Sequence, residues 1–314
     1  MKKRSKILVL LLTVALVFSF AACGSDDAEK DSDSAAADKG VTIKVGSKDF
    51  TEQLILGQMT IQVLENAGYT VEDKTNVSGS DVCRSALESG EFDIYWEYTG
   101  TGWQTHLGKT EVINDPQALY DALVEADAAN GITWLDYAPL NNTYALAMKE
   151  ERAKELGITN YTELGEYLAA NPGELVLACD HEFTVRPDCL PGLEETYGTD
   201  FGKDISVMDM GIVYSTLDDG QADVGMVFAT DGRIPQYGLT LLTDDKNFFP
   251  IYNGAPCLRT ETLEANPDIA DSLNPISALL TDDVMQELNY QVDGEGMEPD
   301  EVAEEWLTAN GFLK

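Results

Sequence analysis

The feature that most limits the fold is an alternation of strand and helix signals that runs along the chain and then stops. "VTIKVG" sets Val41, Ile43 and Val45 on one face at period 2, and "TEQLILGQMTIQVLENAG" follows with Ile55, Met59 and Val63 at helical spacing and Gly68 as its stop. The unit recurs. "SDVCRSALESG" predicts a short helix ending at Gly90, "EFDIYWEY" a strand, and "DPQALYDALVEADAANG" a helix. That helix has Asp115 as N-cap, Pro116 at its first position, a stripe at Leu119, Leu123 and Ala126, and Gly131 after it. "TYALAM", "ELVLA", "ISVMD" and "ADVGMVFA" continue the strands, whereas from Glu261 onward the pattern is nearly all helical. Alternation argues for α/β sheets with crossover connections. A helical C-terminus without strands must pack on a sheet built elsewhere, so the chain is expected to leave one lobe, build a second and return. Its 314 residues suffice for two such domains.

"FDIYWEYTGTGW", Phe92 to Trp103, crowds five aromatic rings onto one strand and the turn after it. Period 2 places Phe92, Ile94, Trp96 and Tyr98 on one face and Asp93, Tyr95 and Glu97 on the other. Part of the run is therefore ordinary sheet packing. Tyr98 differs because it stands where the strand ends, and strand ends are where open α/β sheets bind ligands.

The N-terminus, "MKKRSKILVLLLTVALVFSFAACGSDD", has four basic residues, an apolar stretch from Ile7 to Ala22, and then Cys23. It reads as an export signal, too short for a membrane-spanning helix. Ala21 and Ala22 before Cys23 resemble a bacterial lipobox, so residues 1–23 are expected to be a lipoprotein signal peptide and Cys23 the lipidated residue. Residues 24–40 contain no large apolar side chain and read as a flexible acidic linker.

The whole chain carries 20 basic and 56 acidic residues; without the four basic residues of the signal, 16 face 56, a formal charge of −40. Nucleic acid is excluded as a partner on that balance, and anionic headgroups would repel the body, leaving the lipid to do the anchoring. Cys83, Cys179, Cys189 and Cys257 permit disulfides in an exported protein, with Cys179 and Cys189 able to close a short loop, but the pairing stays open. His106 and His181 stand far apart, and neither a Gly-x-Ser-x-Gly elbow nor a His-Glu-x-x-His pair occurs. "CDHE" at 179–182 is a poor metal site, because consecutive residues on an extended segment point in opposite directions. No cofactor and no catalytic residue is expected.

Six ordered blocks carry a resemblance: "VGSKDFTEQLILGQM", "SGSDVCRSALESGEFDIYWEYTGT", "NNTYALAM", "GIVYSTLDDGQADVGMVFATDGRI", "DDKNFFPIYNGAP" and "MQELNYQVDG". Together, from about Val41 to the C-terminus, they resemble the substrate-binding proteins of bacterial ABC importers for osmoprotectants such as glycine betaine, proline betaine, carnitine and choline. The resemblance implies an α/β, two-lobe type II periplasmic-binding-protein-like fold with a crossover-strand hinge. Lobe 1 would comprise residues 41–142 plus 252–314, and lobe 2 residues 143–251. It also implies a monomer held outside the cell membrane by its lipid, delivering a small quaternary ammonium ligand to an ABC permease and its ATPase.

A trimethylammonium group has no N–H to donate, so ring faces must hold its charge, at about 0.5 to 2 kcal/mol per ring. Four rings then supply several kcal/mol of the roughly 8 kcal/mol in a micromolar complex. Matched to the family motifs, the cage would be Tyr98, Tyr144, Phe228 and Tyr252, with the backbone carbonyl of Asn142 facing the cation. Phe228 stands where relatives often have Tyr. Lys48, Thr101 and Arg186 match the positions that receive a carboxylate, for which an Arg fork and a Lys point charge are apt. Both cations together favour a betaine-type zwitterion; a choline-preferring protein of the same family is the alternative, and a secreted enzyme or sensor co-receptor the more distant one. Read from the residues alone, each tyrosine fits core packing, Lys48 fits a loop cap, and Arg186 fits an ion pair with any nearby carboxylate. Tyr214 reads as helix packing.

Overall fold

The computed structural model describes residues 38–313, so the signal segment and Cys23 lie outside the described residues. Among the described residues ten strands form two five-stranded sheets. The first contains β1 (Thr42–Lys48), β2 (Thr70–Val77), β3 (Ile94–Tyr98), β4 (Ile132–Trp134) and β10 (Gly254–Arg259); the second contains β5 (Tyr144–Lys149), β6 (Leu177–Cys179), β7 (Ile205–Val207), β8 (Val224–Phe228) and β9 (Leu239–Leu241). Their orders are β2-β1-β3-β10-β4 and β7-β6-β8-β5-β9, the same plan twice. In each sheet the strand in fourth place is the one that arrives from the other sheet, and it runs antiparallel to both neighbours. The return of the chain thus brings a strand, β10, as well as helices.

The two passages between sheets lie side by side. Asn141 and Asn253 form an isolated antiparallel bridge, the Asn142 N–H donates to the Tyr252 carbonyl at 3.1 Å, and the Tyr252 N–H donates to Asn141 Oδ1 at 2.7 Å. Paired crossovers make a narrow, hydrogen-bonded connection about which two halves can rotate.

The helix Thr51–Asn66 carries the Ile55, Met59 and Val63 stripe, but burial extends nearly around it. The reason is that the C-terminal helices Asp268–Ser277, Asp282–Asp293 and Pro299–Ala309 cover its far side, through Ile269, Leu273, Met285, Val302 and Leu307. The helix Pro116–Asp127 starts as its sequence dictates: Asp115 accepts from the Ala118 N–H at 2.8 Å, a cap worth about 1 kcal/mol. β3 is buried on both faces, as expected of a central α/β strand. Phe92 does not share a face with Ile94 and Trp96, because it precedes the strand, between the bends at Glu91 and Asp93, and packs with Tyr95 instead.

Cys83, Cys179, Cys189 and Cys257 are free, buried thiols; burial pushes Cys83 and Cys179 up to about 12. No described helix is long and apolar enough to cross a membrane. The stretch read as a linker ends earlier than residue 40: the Lys39 N–H donates to the Gly68 carbonyl at 2.9 Å, and its ammonium pairs with Asp268.

Candidate functional site

A cavity of about 870 Å³ lies between the two sheets. It borders the C-terminal ends of β1, β3 and β8, where backbone irregularity frees side chains to point at a ligand. Seven of the eight ligand residues expected from the sequence line it: Lys48, Tyr98, Thr101, Asn142, Tyr144, Phe228 and Tyr252. Arg186 does not.

Tyr98 ends β3 and is 4% exposed; its hydroxyl donates to Glu52 Oε1 at 2.6 Å and accepts from Asn142 Nδ2 at 3.2 Å. Directly after it the backbone turns into a π-helix, Thr101–His106, a form that recurs at functional sites. Thr101 is its first residue and is buried at the cavity wall. Gly100 is required there, since a Cβ would stand 2.8 Å from the Tyr252 ring and 2.9 Å from the Ile251 carbonyl. The "TGT" turn thus lets the crossover tyrosine approach β3.

Tyr144 opens β5 and is the hub of the rings: Phe228 lies 5.4 Å away and Tyr252 5.5 Å away, the latter edge-on at 87°. Phe228 ends β8, directly opposite Tyr144 in the ladder, and its N–H donates to the buried Tyr214 hydroxyl at 3.1 Å. Tyr214 packs, as expected, and Arg233 lies over its ring at 4.0 Å. The Tyr252 hydroxyl donates to Asp188 Oδ2 at 3.3 Å.

The cations are already engaged. Lys48 ends β1 and donates to Glu97 Oε1 at 2.6 Å, with its ammonium 5.2 Å from the centre of the Tyr98 ring. Arg186 stands just past the helix His181–Val185, behind Tyr144, with its guanidinium 5.6 Å from that ring. Its fork is held by Asp188, its Nη1 donates to Glu182 Oε1 at 2.7 Å, and it reaches the Tyr144 hydroxyl at 3.4 Å. In this arrangement it braces the Tyr144 ring and does not line the cavity.

Asn142, on the crossover, gives its amide to Glu52 Oε1 at 2.8 Å, and its Oδ1 is buried without a hydrogen-bond partner among the described residues.

A profile for the family described as the substrate binding domain of ABC-type glycine betaine transport system matches residues 41–309. The chain belongs to this family. A glycine-betaine-binding protein of Pseudomonas aeruginosa is 42% identical over 278 residues, covering 87% of this chain and 89% of that protein. The carnitine transport binding protein OpuCC of Listeria monocytogenes is 31% identical over 311 residues, 98% of this chain and 96% of that one. A crystal structure described as a glycine betaine/carnitine/choline ABC transporter superposes with a TM-score of 0.69 at 30% identity, covering 87% of this chain and all of that chain. Two mixed sheets joined by paired crossovers are the type II periplasmic-binding-protein fold, which the similarity to the apo YehZ structure of Escherichia coli supports at a TM-score of 0.63. The relatives are substrate-binding components of ABC importers, a class that works outside the cytoplasm.

Within this member of the family, sequence reasoning missed the residues that knit the site. Glu52, 2% exposed, accepts from Tyr98 and Asn142 on one oxygen, and from Thr230 Oγ1 at 2.7 Å and Asn289 Nδ2 at 3.4 Å on the other. Thr230 follows β8 of the second sheet, so this carboxylate joins both halves. Burial raises its pKa, and the four donors oppose that rise. Glu97 is the reverse: burial again pushes upward, but the Lys48 charge and the hydrogen bonds from His106 and Lys48 prevail and hold it far below the usual carboxylate range. His106 Nε2 lies 2.9 Å from Glu97 Oε2, and Tyr95 donates to the same oxygen at 3.1 Å. At one rim of the cleft, Gln286 and Asn289 donate to the carbonyls of Ala229 and Thr230 at 3.1 and 3.2 Å, and Arg233 pairs with Asp293 at 3.1 Å. At the other rim the Ser80 N–H meets Glu182 Oε2 at 3.4 Å. An acid in a first helical turn, or an Arg after a turn, signals nothing of this in the sequence.

Proposed function

We propose that the protein is the extracytoplasmic solute-binding component of an ABC importer and captures a quaternary ammonium zwitterion of the glycine betaine, proline betaine or carnitine type. The observation that carries this reading is that Tyr98, Tyr144, Phe228 and Tyr252 border one cavity together with Lys48 and Thr101. The rings suit a methylated cation, and the hydroxyl and ammonium suit a carboxylate at the other end. Relatives named for glycine betaine and carnitine support the ligand class.

In this reading lobe 1 is residues 41–142 plus 252–314 and lobe 2 is residues 143–251. The rings come from both lobes and from the crossover, so bound ligand adds contacts only when the halves come together, and it shifts the population toward closure. The closed monomer then meets a permease with its ATPase. Cleavage before Cys23 and lipidation of that residue tether it to the outer face of the membrane, with residues from 24 to about 38 as the leash.

A carboxylate at Lys48 shares that cation with Glu97; one at Arg186 requires its guanidinium to turn from Asp188. Titration calorimetry with glycine betaine, proline betaine, carnitine, choline and a primary amino acid tests the assignment. Heat from the betaines and recovery of the ligand unchanged are expected; binding of the primary amino acid with none of the quaternary compounds overturns it. Lys48→Ala should weaken glycine betaine more than choline, and equal losses would remove the carboxylate subsite.

A further inference from the structure

We infer that Phe50 is a fifth wall of the cage, presenting its ring to the methylated cation from the first-sheet side of the cleft; the inference rests on the quaternary ammonium reading above. Three observations converge on it. The first is connectivity. Among the described residues Tyr98 has one aromatic neighbour, Phe50, at 6.3 Å and 20° between planes, and Phe50 in turn stacks on Phe228 at 4.9 Å and 24°. Phe228 leads on to Tyr144 and Tyr144 to Tyr252. Without Phe50 the arc of rings breaks between Tyr98 and the rest.

The second observation is exposure to the cavity. Phe50 is only half-buried and lines the same space as the other rings, so its ring is not committed to the core. The third is local. Phe50 is the N-cap of the helix Thr51–Asn66 and makes no side-chain capping bond, at a position where Ser, Thr, Asp or Asn would satisfy an unpaired N–H. A residue that breaks a local rule inside a binding cavity is where function is expected to have overridden helix stability.

A phenyl face carries the same kind of quadrupole as a tyrosine face, so Phe50 needs no hydroxyl to act. Its stack with Phe228 crosses from one half of the protein to the other. The ring therefore contributes when the halves are together, and its loss should appear chiefly as faster ligand release.

The test measures glycine betaine affinity and dissociation rate for the full mature protein, Phe50→Leu, Phe50→Tyr, and a series with mono-, di- and trifluorinated phenylalanine at position 50. Fluorine leaves the shape nearly intact and drains the ring face of charge. Phe50→Leu should raise Kd by about 2- to 30-fold, Phe50→Tyr should stay within about twofold, and log Kd should climb with each fluorine. A flat fluorine series, or tighter binding by Phe50→Leu as expected of a ring that merely plugs the site, overturns the inference. Should Phe50→Leu fail to fold, the fluorine series decides at an unchanged melting temperature. If the unaltered protein binds no quaternary ammonium compound, the ligand assignment itself falls, an outcome distinct from binding that ignores position 50.

Discussion

Glu52 and Glu97 are carboxylates buried on the same side of the cleft, one in the first turn of a helix and one near the end of the neighbouring strand, and they are held by opposite means. Glu97 faces a cation, Lys48, with His106 and Tyr95 beside it. Glu52 faces only neutral donors: Tyr98, Asn142, Thr230 and Asn289. A full charge offsets burial enough to lock the ionised state, whereas dipoles only soften the penalty. The comparison separates two jobs. Glu97 fixes Lys48 within one half of the protein, and Glu52 links the two halves through groups that can let go at modest cost.

The comparison breaks most visibly at Glu97. Glu97→Ala leaves Lys48 buried without a counter-ion and should cost about 3 to 5 kcal/mol in denaturant unfolding, while removing Lys48 as well should recover part of it. Stability equal to the unaltered protein would mean that water already neutralises the pair. The next effect is one of sign. Because the folded pKa of Glu52 is raised, its contribution to stability is fully present below about pH 4.3 and is lost as pH rises through the folded value. Glu97 is lowered, so its contribution is present above about pH 4.3 and is lost as pH falls. Melting curves from acid to neutral pH should therefore show the advantage over Glu52→Gln shrinking upward and the advantage over Glu97→Gln shrinking downward. Parallel curves would erase the distinction. The smallest effect is expected at Thr230→Val, which removes one bond to Glu52 across the cleft: about 1 kcal/mol, with most of it disappearing in a Glu52→Gln background.

The long elements were legible because their cores are periodic. Val41, Ile43 and Val45 marked β1, and Ile55, Met59 and Val63 marked the helix after it. Four strands escaped notice, each for a physical reason. β2 is an edge strand with Glu72, Asp73 and Lys74 exposed, β4 and β9 have three residues each, and β10 contains Pro256. At the site, the family motifs pointed to seven residues that share a cavity, because rings at strand ends are few and their positions are dictated by the ladder. Arg186 shows the limit of that approach. Its residue type suits a carboxylate, but Asp188 and Glu182 already hold its guanidinium.

Sequence by itself determined the layered α/β character, the departure and return of the chain, the acidity and the set of aromatic residues at the junctions. These follow from periodicity, composition and turn chemistry, which act over a few residues. Only tertiary structure decided that Phe50 joins Tyr98 to Phe228, that Glu52 spans the cleft and that both expected cations have partners already. Such facts depend on which distant segments the two sheets bring within a few ångströms, and no local propensity encodes that.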